Sequence, residues 1–418
     1  MLRNPLYILI TIVVAALTLG SCSNDDAVDV EDINKQTTIV FMPWSGTDTY
    51  GGLYSIFLQN LDSIEGAIKA NKGLSGRVVV FISRSATQSE LYEVTYSMGT
   101  IEHTPIKTYT GSLYTTSEGI TQILNDVKSN AYALNYGMII GCHGTGWTYK
   151  GDWNNYPYNA KRHEWAEELS TGAKAAPGTG PAGHNYPTTR FYGSVDDMNY
   201  ATDISTLADG IRGAGMKMQY VLFDDCYMAN IETAYELKDV TNFLIGSTSE
   251  IMAIGMPYQT MWKSLASATP AYETAVNAFH TFYTAYEYPY GAVSCIDCRQ
   301  VESLAGIMKE INSRYALADS LVDSLQVLDG FNVPIFFDLG SYVDRLCQNT
   351  TLLSDFHSKL DDVVKAKANT DSLYSYLYYG NPRFITVKSY SGLTVSDPSI
   401  NGVALKGKQK TAWWKATH

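Results

Sequence analysis

Two side chains in this sequence, Cys226 and His143, have the type and surroundings to attack a carbonyl together. Cys226 stands in the stretch QYVLFDDCYMANIETAYEL, residues 219–237. The first half, Tyr220-Val221-Leu222-Phe223, is an apolar run that ends at two aspartates, the pattern of a strand buried on both faces. In the second half Met228, Ile231, Ala234 and Tyr235 recur at helical spacing. The expectation is a thiol where a buried strand ends and a helix begins, the crevice at which open α/β sheets bind ligands. The free N–H groups and positive end of such a helix favour a thiolate, the nucleophilic form of cysteine. A lone cysteine is more often a small core residue, so Cys226 needs a base before it carries chemistry.

A second strand supplies one. Tyr136-Gly137-Met138-Ile139-Ile140 is apolar and runs into Gly141-Cys142-His143-Gly144-Thr145-Gly146-Trp147. Adjacent parallel strands lie about 4.8 Å apart, so a histidine at one strand end can meet a cysteine at the next. A histidine titrating near neutrality can polarise a thiol or protonate a leaving amine. Gly144 lets backbone N–H groups come close to a substrate carbonyl, and the N–H groups of Gly144 and Cys226 would hold its oxyanion. Asp224 and Asp225 precede the thiol, and either could cap the following helix.

A strand ending in His-Gly, followed later by a strand ending in Asp-x-Cys, resembles the caspase-like cysteine peptidases. The longer strings His143-Gly144-Thr145-Gly146-Trp147 and Phe223-Asp224-Asp225-Cys226-Tyr227-Met228 are similar to the HGxGW and FDAC-x-M motifs of the clostripain family. Asp225 departs from the common alanine. Weaker likenesses extend over 37–44, 247–258 and 392–395, so the resemblance spans most of the chain. It implies a caspase-like three-layer α/β sandwich, with a mostly parallel central sheet between helices. It implies a cysteine endopeptidase with His143 and Cys226 as its catalytic pair. It also implies that Asp224 lies at the base of the primary specificity pocket, where its carboxylate would pair with substrate Arg or Lys. Two alternatives stay open. One is a surface binding protein on the same fold with the pair unused; the other is a peptidase of different preference, such as an asparaginyl or small-residue one.

The resemblance implies protein or peptide substrates, and composition argues against one other class of partner. The 418 residues carry a net charge of −12, which argues against nucleic acid, whose binders present a basic face. The 31 tyrosines read as composition bias. Six cysteines in so long a chain are not a disulfide scaffold, and Cys295-x-x-Cys298 without a second pair is weak evidence for metal. The histidines lack metal-ligand spacing, and no stretch matches an EF-hand loop. No cofactor is therefore assigned; calcium, on which some clostripain-like enzymes depend, is left open. A monomer is expected.

Residues 1–21 read as a leader, with Arg3 ahead of an apolar segment too short to span a membrane comfortably. It ends Leu19-Gly20-Ser21-Cys22, similar to a bacterial lipoprotein cleavage box, which implies a lipidated Cys22 and a membrane anchor. The acidic run that follows resembles the surface-export signal of Bacteroidetes lipoproteins. The chain is then an outer-membrane, lipid-anchored protein of the cell envelope, with 22–36 as a solvated tether and 37–418 as the peptidase domain.

Within that domain strand and helix signals alternate. Strands are expected at 37–43, 77–83, 136–141, 220–223, 243–248 and 292–296, with a hairpin over 91–109 and a short strand at 193–196. Helices are expected over 56–68, 117–132, a capped 203–211, 258–266, 272–286, 300–311, 317–328 and 352–368, and 335–339 leads into a helix that runs through Leu346. Residues 383–389 and 392–396 look like an antiparallel pair. The stretch 149–189 breaks the pattern, being rich in Gly, Pro, Asn and Tyr. Clostripain-like enzymes are commonly cut between their two motifs, so self-cleavage here is expected, at Lys161 or Arg162; the alternative is a plain solvated loop.

Overall fold

The computed structural model describes residues 34–47, 52–153, 192–194, 197–375 and 383–418. The leader, Cys22, Lys161 and Arg162 lie outside them. In chain order the elements begin with β1 (Gln36–Met42), α1 (Tyr54–Ala70), β2 (Arg77–Ser85), β3 (Gln88–Ser97), β4 (Thr100–Thr110), α2 (Ser117–Asn130) and β5 (Asn135–Gly141). After the undescribed stretch come β6 (Tyr192–Gly193), β7 (Ala201–Thr202), α3 (Ile204–Gly213), β8 (Met218–Asp224), α4 (Ile231–Leu237) and β9 (Thr241–Gly246). Then follow α5 (Tyr258–Leu265), α6 (Tyr272–Ala285), β10 (Ala292–Asp297), α7 (Val301–Asn312), β11 (Phe337–Asp338), α8 (Leu339–Leu346) and α9 (Thr350–Val363). The chain closes with β12 (Val364–Asn369), β13 (Ser372–Ser375), β14 (Arg383–Thr386), β15 (Thr394–Val395), α10 (Gly402–Gly407) and α11 (Ala412–Thr417).

Nine strands form one sheet in the order β12-β10-β9-β8-β5-β1-β2-β3-β4. The five central strands β9, β8, β5, β1 and β2 pair in parallel. Both flanks turn antiparallel, through β3 and β4 on one side and β10 and β12 on the other. The central strands are the apolar runs of the sequence. β1 is buried at every position, as is β8 apart from Gln219, because helices cover both faces. One group of helices is α1, α5 and α6; the other contains α2, α3, α4, α7, α9 and α11. The result is the three-layer sandwich expected, with one core cluster running through it.

Four expectations change. The segment 352–368 is not one helix: α9 stops at Val363 and the chain continues as β12, where lysines alternate outward on an antiparallel edge strand. Residues 317–328 hold only a 3₁₀ turn at Asp319–Ser324. The late strands do not pair with each other: β14 pairs with β13, and β15 pairs with β11. Asp203 precedes α3 but makes no capping bond; its Oδ1 accepts the backbone N–H of Lys150 at 2.9 Å.

Candidate active site

β5 and β8 are parallel neighbours whose final register pair is Gly141 with Asp224. Two residues beyond those positions stand His143 and Cys226. The ladder therefore brings both to the same height above the C-terminal edge of the sheet. The two turns also touch. A Cβ at Gly144 would fall 2.6 Å from the Asp225 Cβ and 2.7 Å from the Cys226 carbonyl oxygen, so only glycine permits this approach. The carbonyl of His143 accepts the N–H of Gly193 at 3.0 Å, an antiparallel bridge that holds the histidine backbone from its other side.

The turn that carries Cys226 is not the start of a helix. Four residues separate Cys226 from the first residue of α4, and Asn230 caps that helix, accepting Thr233 N–H at 2.7 Å. The reason lies in Tyr227, whose φ of 62° is left-handed and breaks the path from strand to helix. Its ring is stacked on Phe336, with centroids 4.9 Å apart and planes 8° apart. Its N–H donates to Ser249 O at 2.9 Å, and Asn230 Nδ2 donates to its carbonyl at 2.7 Å. The turn is thus fixed by its neighbours rather than by helical hydrogen bonding.

The Cys226 Sγ accepts the N–H of Ile251 at 3.4 Å and lies 3.8 Å from Ile251 O. Burial, then the carboxylate of Glu250, push its pKa up. This corrects the expectation of a helix-stabilised thiolate: with the helix end displaced, the resting thiol is held neutral.

The two aspartates have different surroundings. Asp224 is buried, with Oδ1 accepting Met256 N–H at 2.9 Å and Oδ2 accepting Tyr258 OH at 2.8 Å and Asn60 Nδ2 at 3.4 Å. Gly255, at φ 71°, passes so close that a Cβ there would lie 2.6 Å from both carboxylate oxygens. Burial pushes the Asp224 pKa up to about 7, while the Tyr258 and Met256 bonds oppose the rise. Asp225 does not cap α4. Its Oδ1 accepts Cys142 N–H at 2.7 Å and its Oδ2 accepts the Cys142 thiol at 3.3 Å.

The tryptophan of the histidine motif reaches further. Trp147 Nε1 donates to Ser396 Oγ at 2.8 Å, and Ser396 N–H donates to Glu232 Oε1 on α4 at 2.7 Å. Sequence reasoning missed Asn60, Tyr258 and Glu232. Asn60 did leave a signal, since it interrupts the apolar stripe Phe57, Leu61, Ile64 of α1. Among the described residues no cluster of three or more His, Cys, Asp or Glu side chains could hold a metal ion.

Comparison with known proteins agrees with this geometry. The chain is 40% identical to a secreted C11 cysteine protease of Bacteroides thetaiotaomicron called iotapain, over 92% of this chain and 99% of that one, with a TM-score of 0.79. The model of the clostripain family matches residues 178–399. The chain belongs to the clostripain family.

It is accordingly a cysteine-type peptidase. A second clostripain structure from B. thetaiotaomicron, in complex with the peptide inhibitor BTN-VLTK-AOMK, is 47% identical over 55% of this chain and 99% of its own, with a TM-score of 0.52. An inactive zymogen C11 protease of Parabacteroides distasonis shares the fold, at 21% identity, 92% and 99% coverage, and a TM-score of 0.72. No curated protein matches the chain. Among the described residues no helix is long and apolar enough to cross a membrane.

Proposed function

We propose that this clostripain-family chain is an endopeptidase that cleaves after Arg or Lys, with Cys226 as nucleophile and His143 as general acid–base. The observation that supports the reading is the β5–β8 register, Gly141 against Asp224, with His143 and Cys226 each two residues further on, in turns that touch at Gly144. The Cys226 thiol proton must leave as sulfur attacks the scissile carbonyl, and His143 is assigned as the base that takes it. The imidazolium then gives the proton to the leaving amine, and water hydrolyses the thioester. The N–H groups of Gly144 and Cys226 are assigned to the oxyanion.

Asp224 is assigned to the primary pocket. Its carboxylate oxygens keep lone pairs beyond those used by Met256, Tyr258 and Asn60, enough to accept N–H donors from a guanidinium or ammonium. The inhibitor held by the related clostripain has peptide letters that end in lysine. Residues 1–21 are assigned to a removed leader, Cys22 to a lipid anchor at the outer membrane, 22–36 to a tether and 37–418 to the peptidase. Self-cleavage at Lys161 or Arg162 within 149–189 is part of the same reading, in line with a family relative described as a zymogen.

The test is turnover of fluorogenic Arg and Lys peptides by the form starting after Cys22, beside Cys226→Ala. Asn and Asp peptides serve as controls, each with and without calcium and after mild trypsin. Turnover of basic peptides that is lost in the variant is expected. Cleavage of Asn or Asp peptides instead overturns the Asp224 assignment, and activity retained by Cys226→Ala overturns the nucleophile. Intact mass of wild type and variant tests processing, which a full-length wild-type chain excludes.

A further inference from the structure

We propose that Asp225 is a positioning residue that sets His143 against Cys226, an inference that rests on the catalytic pair proposed above. Asp225 immediately precedes Cys226 in the chain, and its side chain touches both neighbours of His143. On one side it accepts Cys142 N–H at 2.7 Å and Cys142 Sγ–H at 3.3 Å. On the other, its Cβ packs on Gly144 so closely that a Cβ there would lie 2.6 Å away. The residues flanking the histidine are thereby fixed to the residue preceding the nucleophile.

The sheet cannot do this unaided. The β5–β8 ladder ends at Gly141 and Asp224, so beyond that point these two chains are no longer paired with each other, and the His143 bridge to Gly193 holds only the side away from Cys226. Cys142 is buried, and its N–H would have no strand partner there. Asp225 extends the contact by one residue, using a side chain where the ladder would have used a carbonyl. It is itself 1% exposed, and burial raises its pKa well above the carboxylate range. What the contact to the histidine turn needs is an oxygen facing the Cys142 N–H, which an asparagine side chain would also present. An alanine at this position would offer no such contact.

The experiment compares Asp225→Ala, Asp225→Asn and Cys142→Ala in the form starting after Cys22, on the best basic peptide, with Cys226→Ala as control. Asparagine keeps the carbonyl oxygen for Cys142 N–H and needs no charge. Asp225→Ala is expected to lose kcat on the order of 10²-fold with KM little changed, as for a misplacement of about 1 Å in a catalytic pair. Asp225→Asn is expected to recover most of that loss, and Cys142→Ala to fall between. If Asp225→Ala does not fold, Asp225→Ser, too short to reach Cys142, replaces it under the same criterion. Wild-type kcat in the folded Ala or Ser variant overturns the proposal, as does an Asn variant no better than Ala, or a KM rise matching the kcat loss. Activity in Cys226→Ala instead identifies failure of the catalytic pair itself.

Discussion

The hydroxyl of Tyr258 donates to the Asp224 carboxylate at 2.8 Å, directly beneath the turn that carries Cys226. Burial holds the Asp224 pKa near 7, and this bond restrains the rise. A cationic P1 side chain is attracted only by the ionised form. For Arg and Lys peptides kcat/KM should therefore rise with pH through about 7. In Asp224→Asn that limb should vanish along with most of the activity, and in Tyr258→Phe it should move to higher pH. An unchanged profile in Asp224→Asn removes Asp224 from the pocket.

The neutral resting thiol predicts slow alkylation. Cys226 is pushed up by burial and by Glu250, whereas an ordinary cysteine titrates at about 8.5. At pH 7 the uncomplexed enzyme should react with iodoacetamide more slowly than free cysteine, with a rate that climbs as pH rises. Glu250→Gln should speed the reaction. A fast rate, flat between about pH 6 and 8, is the signature of a preformed thiolate and excludes this state of the site.

Gly255 gives a steric test. Its φ of 71° costs an L-residue about 1–2 kcal/mol, and an added Cβ would collide with both Asp224 oxygens. Gly255→Ala should lower the thermal midpoint. It should also reduce kcat/KM on Arg peptides by about tenfold or more, equivalent to roughly 1.4 kcal/mol. Cys226 alkylation should persist at the wild-type rate. Full activity on Arg peptides in this variant contradicts the placement of Asp224 in substrate binding.

Acidic side chains buried behind the site set a stability profile. Burial raises Glu232 to about 8 and Asp397 to about 7, against ordinary values of 4.5 and 3.8. Folded-state values above the unfolded ones mean that the protonated forms favour the fold. That contribution is complete below about pH 4 and is lost as pH rises through 7 to 8. Lys408, lowered mainly by burial, has the opposite sign: its penalty is relieved as pH rises. Glu232→Gln isolates one group, and should flatten the fall in urea midpoint between pH 5 and 8. A variant whose fall is as steep as wild type refutes the contribution.

The parallel core was legible because its strands carry their own signature. β1, β5 and β8 are buried on both faces, so they read as unbroken apolar runs that stop where the sheet stops. His143 and Cys226 inherit their positions from those endings. The misreadings fall where partners are distant in sequence. Leu352, Phe356, Leu360 and Val363 form a true helical stripe, and the residues after Val363 keep enough apolar character to seem to continue it. Only pairing with β10 makes them a strand. β15 pairs with β11, more than fifty residues back, which leaves β14 to pair with β13. The left-handed Tyr227 could not be read either, since its support comes from Phe336, more than a hundred residues away. Asp225 was visible as a departure from the motif, but its purpose needed the facing strand end.

The Trp147–Ser396–Glu232 connection has a bearing on biosynthesis. Ser396 comes 249 residues after Trp147, yet it is the hinge pin between the histidine turn and the helix behind the cysteine turn. A nascent chain emerging from the ribosome displays both reactive side chains long before that pin is made. The tie between the two turns therefore cannot form until the segment around Ser396 has been synthesised and folded back.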